Sequence, residues 1–223
     1  MTLQTAPEAA TRLTIDVWAD VLCPWCYLGE HRLQAAVAAS PHAAAIDVRV
    51  HTFELAPDAA AEVVPTLDYL AAKYGVSAAQ ARAMEQRMAD QAASEGLPYE
   101  VDRPARNSGD LLRLVHLAAE HGRAWEFLRA AQTEVFTGNF AAFETATLVG
   151  IGGRLGIPEA EVRDVLDSDR YADTVRADHA EAVRLGARGV PFTVLGQRLG
   201  IPGAVSVEEY TAAIAQAWDQ THG

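Results

Sequence analysis

Leu13, Ile15, Val17 and Ala19 alternate with Thr14, Asp16 and Trp18. That period of two predicts a strand, which ends at Asp20. Beyond Cys23, Pro24 suits a first helical position, and Cys26, Leu33 and Val37 fall on one helical face until Ser40-Pro41 stops the run. Ile46, Val48, Val50 and Thr52 alternate again and lead into Phe53-Glu54-Leu55, so a second strand is expected. The three segments make a βαβ unit, right-handed if its strands are parallel.

From about Glu62 to about Leu185 the pattern is helical, with breaks at Gly75, Gly96, Gly122, Gly138, Gly156-Ile157-Pro158 and Gly186. No strand is expected inside this block, and the breaks predict about six helices. Ser77 with Gln80 reads as a capping box, Pro158 as the opening of a short helix, and Gly96 and Gly186 as left-handed residues closing helices. Leu111, Leu114, Val115 and Ala118 recur at helical spacing and give the block an apolar face. Strand signals return at Pro191 to Leu195, turn at Gly196-Gln197 and come back through Arg198 to Ile201. A last helix is expected from about Val207 to about Trp218. The order β-α-β, helices, β-β-α predicts an α/β fold whose sheet is assembled from both ends of the chain around a large all-helical insertion. The expected limits are 1–61 for the first part of the sheet domain, 62–186 for the insertion and 187–223 for the second part.

With 223 residues, half of them apolar, the chain can bury a substantial core. Residues 1–12 show no signal-peptide core and no uncharged run is long enough to span a bilayer, which predicts a cytoplasmic protein. A formal charge of −12 argues against nucleic acid or an anionic membrane as partner, and is otherwise accounted for by solubility.

Cys23 and Cys26 are the only cysteines, set as Cys-Pro-Trp-Cys at the predicted start of a helix. A thiolate there faces the positive end of the helix dipole and unpaired N–H groups, both of which stabilise the anion. The spacing lets the second sulfur reach the first, so the pair can alternate between dithiol and disulfide. The same spacing also occurs in half a zinc site, but among His31, His42, His51, His116, His121, His179 and His222 only His116 with His121 comes near the usual ligand spacing. No metal and no cofactor are therefore expected. Cys23, the exposed first thiol, is the candidate nucleophile and Cys26 the resolving thiol. Pro24 and Trp25, between the sulfurs, would tune the redox potential, and Trp25 could also form a substrate platform or pack on the insertion. Asp20 is either a proton relay for the buried thiol or a polar loop residue. Tyr27 and Phe192 read as packing residues, and His31 is left outside the site.

The Cys-Pro-Trp-Cys after a first strand, Gly189-Val190-Pro191-Phe192 before a late strand and the helices between them resemble the DsbA-like branch of the thioredoxin superfamily over nearly the whole chain. More narrowly, Asp20 to Gly29, Phe53-Glu54-Leu55-Ala56-Pro57 and Val175 to Gly186 look like its FrnE-type cytoplasmic subgroup of thiol–disulfide oxidoreductases, some tied to polyketide pathways. The resemblance implies a cis Val190–Pro191 peptide opposite the cysteines, with the backbone of Val190 available to substrate. It also implies a protein or small-molecule disulfide or dithiol as substrate, with glutathione or thioredoxin as redox partner.

Two positions depart from the pattern. Leu112 stands where these chains often carry a histidine, and Pro202-Gly203-Ala204-Val205 lacks the carboxylate that holds glutathione in related isomerases and kappa-class transferases. A glutathione-dependent isomerase or transferase acting on a small aromatic or polyketide-like substrate through Cys23 alone is the second enzymatic reading. A non-enzymatic scaffold is the third.

Overall fold

The computed structural model describes residues 12–222. The signal-peptide expectation thus falls almost wholly outside the described residues. Strand β1 (Leu13–Ala19) is central: it pairs parallel with β2 (Ile46–Thr52) and antiparallel with β5 (Phe192–Leu195), which in turn pairs with β6 (Leu199–Pro202). The sheet order is β2-β1-β5-β6, joining the two ends of the chain as the strand pattern predicts. Thioredoxin-like α/β architecture with helices inserted between β2 and β5 is what these elements build.

Helix α1 (Pro24–Ala39) follows β1 directly, with Pro24 in its first turn and Ser40 closing it. The alternation in β1 sends Leu13, Ile15 and Val17 into a core shared with Leu33 and Ala36 of α1 and with Tyr210, Ile214 and Ala217 of α9 (Val207–His222). That last helix runs one turn past the expected Trp218. On the other face, Trp18 packs with Phe53, Ala182, Phe192 and Val194.

Seven helices separate β2 from β5: α2 (Thr66–Tyr74), α3 (Ala78–Ser94), α4 (Gly109–Glu120), α5 (Ala124–Phe136), α6 (Thr145–Arg154), α7 (Glu159–Leu166) and α8 (Ala172–Arg184). The seventh arises from a break that has neither glycine nor proline: Tyr171 takes a left-handed backbone, φ 66°, just before α8. The Ser77–Gln80 capping box is formed, and Gly96 and Gly186 have φ 74° and 98°. Pro158 caps α7 one position ahead of its first turn.

One expectation fails. The helical block does contain strands, β3 (Val64–Pro65) and β4 (Pro104–Ala105), which pair antiparallel. Each has only two residues and a proline, too few for a period of two to register and with one ladder donor missing. This small sheet ties the start of α2 to the segment before α4, and the Thr66 N–H donates to the Arg103 carbonyl at 2.8 Å.

No described helix is long and apolar enough to cross a membrane. The largest core gathers Leu111, Leu114, Val115 and Leu117 of α4 with Phe127, Val135 and Phe136 of α5. Ala19, Val21, Cys26 and Tyr27 join the same core from the β1–α1 turn.

Candidate active site

Where β1 ends, the chain turns through Asp20, Val21 and Leu22, and the Cys23 N–H donates to the Asp20 carbonyl at 3.1 Å. Cys23 then occupies the N-cap of α1 and its carbonyl accepts the first helical bond, from the Tyr27 N–H. No side chain caps this end, so the first-turn dipoles face the sulfur without a competing ligand. Both cysteines are free thiols and both are buried, Cys23 with 4% of its surface exposed and Cys26 with none.

The Cys23 Sγ donates to the Val190 carbonyl at 3.5 Å, across a sequence separation of 167 residues. Val190–Pro191 is a cis peptide, and the Pro191 carbonyl accepts from the Gly203 N–H at 2.8 Å. In this state the Val190 carbonyl is therefore engaged by the thiol itself. Gly29, on α1, lets the helix approach this loop: a Cβ there would lie 2.9 Å from Pro191 Cγ and 3.2 Å from Ala204 Cβ.

Burial pushes the Cys26 thiol well above its ordinary range, and hydrogen bonding to Cys23 and the charges of Cys23 and Glu30 push the same way. The Asp20 backbone pulls the other way, and its carboxylate is not among the influences on this thiol. The Asp20 carboxylate is 2% exposed and fully engaged. Oδ1 accepts from the Leu22 N–H at 2.9 Å, and Oδ2 from the Leu55 N–H at 2.9 Å and the Ser108 hydroxyl at 3.0 Å. Burial raises its pKa against the pull of those three bonds. Its contacts fasten the turn after β1 to the segment after β2 and to the start of α4.

The carboxylate whose charge bears on Cys26 is Glu30, one helical turn further along α1. Its side chain has no exposed surface, and burial pushes its pKa up to about 7. Arg129 approaches Oε2 at 3.5 Å, while Oε1 has no hydrogen-bond partner among the described residues. The i, i+4 spacing from Cys26 was available in the sequence; its burial was not.

Trp25 is 45% exposed at the rim of a cavity of about 500 Å³ that also exposes Cys23 and Pro24. Tyr27 stacks on Phe136 with centroids 4.5 Å apart, and Phe192 packs against Trp18, so both are packing residues. His31 is half-buried on α1, and Leu112 is fully buried in the helical core. Among the described residues no cluster of three or more His, Cys, Asp or Glu side chains is arranged to hold a metal ion.

The family described as the DSBA-like thioredoxin domain matches residues 14–215. Among solved structures the chain is similar to a probable DsbA oxidoreductase from Streptomyces coelicolor: 42% identity over 93% of this chain and 91% of that one, with a TM-score of 0.86. Two more distant structures share the fold alone. The cytosolic disulfide reductase DsbM from Pseudomonas aeruginosa, solved with GSH, is 20% identical over 94% of this chain and 97% of its own, at TM-score 0.60. A 2-hydroxychromene-2-carboxylate isomerase is 15% identical over 94% and 98%, at TM-score 0.67. No curated protein sequence matches the chain.

Proposed function

The chain belongs to the DSBA-like thioredoxin domain family, and we propose that it is a thiol–disulfide oxidoreductase acting through Cys23 and Cys26. The observation that carries this reading is the juxtaposition at the start of α1. Cys23 sits at the uncapped helix terminus against the Val190 carbonyl, with the buried Cys26 thiol one turn into the helix behind it.

In the reductive direction the Cys23 thiolate attacks one sulfur of a substrate disulfide. A Cys23–substrate disulfide forms and the other substrate sulfur leaves as thiolate, taking a proton from solvent. Cys26 then loses its proton and attacks the Cys23 sulfur; the Cys23–Cys26 disulfide closes and the second substrate thiolate departs. Two electrons pass from the protein dithiol to the substrate, and the reverse sequence oxidises a dithiol. Pro24 and Trp25 lie between the sulfurs and are assigned to tuning the potential, and Val190, whose carbonyl meets the Cys23 thiol, is assigned with Pro191 to presenting the substrate sulfur. Asp20 serves this site by holding the turn that carries Cys23.

The finer parts of the reading rest on sequence. The segments from Asp20 to Gly29, Phe53 to Pro57 and Val175 to Gly186 support a FrnE-type, cytoplasmic member. Glutathione or thioredoxin is the redox partner we assign, and glutathione accompanies the similarly folded DsbM. We take 62–186 as the insertion and 1–61 with 187–223 as the sheet domain. An intact Cys26 behind Cys23, and a Pro202–Val205 segment without a carboxylate, favour dithiol exchange over glutathione-dependent isomerisation.

Trapping tests the assignment. Cys26→Ser, mixed with glutathione disulfide, should accumulate a mixed disulfide on Cys23 that peptide mass mapping locates, while Cys23→Ser should give none. Equal reaction of Cys23→Ser and wild type would overturn it. Isomerisation of a chromene carboxylate that persists in Cys26→Ser would favour the isomerase reading instead.

A further inference from the structure

The cavity beside Cys23 is walled on one side by the β1–α1 turn and on the other by α2, α3 and the segment before α4. At about 500 Å³ it falls within the range of small-molecule sites, about 300–1,000 Å³. Leu55, Tyr69, Leu70, Met84 and Met88 make the wall facing the cysteine largely apolar, and the two methionines let it adapt its shape.

The charged groups on this wall are unevenly matched. Two carboxylates line it. Asp20 is consumed by three hydrogen bonds, and Glu85 is held by Arg103 and by the Tyr99 hydroxyl at 2.6 Å. Four cations line it. Arg103 is matched by Glu85, and Arg106 meets Asp110 at 3.3 Å while its buried Nε has no acceptor among the described residues. Among the described residues Lys73 touches only the Tyr69 hydroxyl, at 3.1 Å, and aromatic rings. Arg87, which like Lys73 is exposed at the cavity's edge, makes no hydrogen bond or ion pair with another described residue. In a chain with a net charge of −12, a cavity whose unmatched charges are positive is a selective feature.

Cys23, only 4% exposed, lines this cavity. The disulfide of a folded protein has poor access to such a sulfur, whereas a small molecule that enters the cavity meets it directly. We infer that the cavity selects a low-molecular-weight disulfide with an apolar or aromatic body and an anionic group directed to Lys73 and Arg87. This rests on the exchange reading above and assigns its substrate class. The first step forms Cys23–S–S–R and releases the other half as RS⁻; closure of Cys23–Cys26 releases the second RS⁻, and the protein dithiol supplies both electrons.

The test compares the reduced full chain with its Lys73→Glu/Arg87→Glu variant in stopped-flow reaction with two aromatic disulfides. Dithiobis(nitrobenzoate) carries carboxylates and dithiodipyridine is uncharged, so the ratio of their rate constants cancels changes in thiol reactivity. The ratio should fall about tenfold in the variant, and salt should depress it in the wild type more than in the variant. A cavity-filling Met84→Trp should slow both disulfides. A ratio unmoved by charge reversal, unaltered rates in a folded Met84→Trp, or faster wild-type reaction with insulin disulfides than with dithiobis(nitrobenzoate) would each overturn the inference. If the disulfide never closes in the wild type, the exchange reading falls with it; if it closes and the ratio does not move, only the substrate class falls.

Discussion

Glu30 stands in the interior with an incomplete set of partners among the described residues: Arg129 at 3.5 Å and one oxygen with none. Burial pushes its pKa up to about 7, so the folded chain holds this proton more tightly than an unfolded chain, whose value is about 4.5. Stability associated with this group is therefore fully present below about pH 4.5 and is lost as pH rises through about 7. Glu30→Gln should therefore gain about 1 to 3 kcal/mol on the wild type at pH 8.5 relative to pH 5, measured by urea unfolding. It should also let Cys26 titrate at lower pH in thiol-alkylation profiles, because the Glu30 charge raises that thiol. An equal difference at both pH values would contradict a buried, titrating carboxylate. Sequence pointed instead to Asp20, three residues before Cys23, because proximity along the chain was the available cue. What separates the two carboxylates is their hydrogen bonding: Asp20 has three donors, two of them from residues distant in the chain.

Among the elements, α1 must lie close enough to the loop at Pro191 to bring sulfur and carbonyl together. Gly29 provides that approach, since a Cβ would meet Pro191 Cγ at 2.9 Å. Gly29→Ala should destabilise the fold by about 1 to 3 kcal/mol through overpacking and slow Cys23 exchange more than a surface Gly→Ala does, as seen by thermal unfolding and stopped-flow. Wild-type exchange and stability would show that the contact is dispensable.

Helix α8 is pinned to the sheet by a different device. Asp178 accepts from the Thr52 N–H at 2.7 Å and meets His116 at 3.3 Å and His51 at 3.5 Å, while His51 also meets Asp16 at 2.9 Å. Burial pulls His51 down, but its bonds to Asp16 and Asp178 outweigh this and raise it to about 9. Burial would raise Asp178, but His116, His51 and Thr52 hold it well below the usual carboxylate range. The His51 contribution is complete below about pH 6.5 and fades as pH rises through about 9; the Asp178 contribution is complete above about pH 4 and fades as pH falls. The clamp is strongest between those limits. Asp178→Asn should cost about 2 to 4 kcal/mol at pH 6 by denaturant unfolding and flatten the loss of stability toward pH 9. A pH-independent cost would contradict it. None of this was legible beforehand, because the partners lie 35 to 127 residues apart. The alternation that defines β1 and β2, in contrast, is local and could be read directly.

In the whole molecule, the helices between β2 and β5 share their main core with the cysteine turn. Tyr27 stacks on Phe136, and Ala19, Val21 and Cys26 join the cluster built on α4 and α5. The order of strands and helices was legible because strands and glycine breaks carry local signals. The β3–β4 pair, the helix break at Tyr171 and the cavity were not: each depends on long-range placement or on a backbone turn without its usual residue. That shared core holds the turn that carries Cys23 and Cys26. The most direct test is a redox titration of the full chain in glutathione buffers, following tryptophan fluorescence and intact mass together. The account predicts one two-electron transition in which both thiols disappear into an internal disulfide, lost in Cys23→Ser and in Cys26→Ser. Thiols that stay reduced across the series, or a Cys23 that only takes up glutathione and never closes onto Cys26, would contradict it.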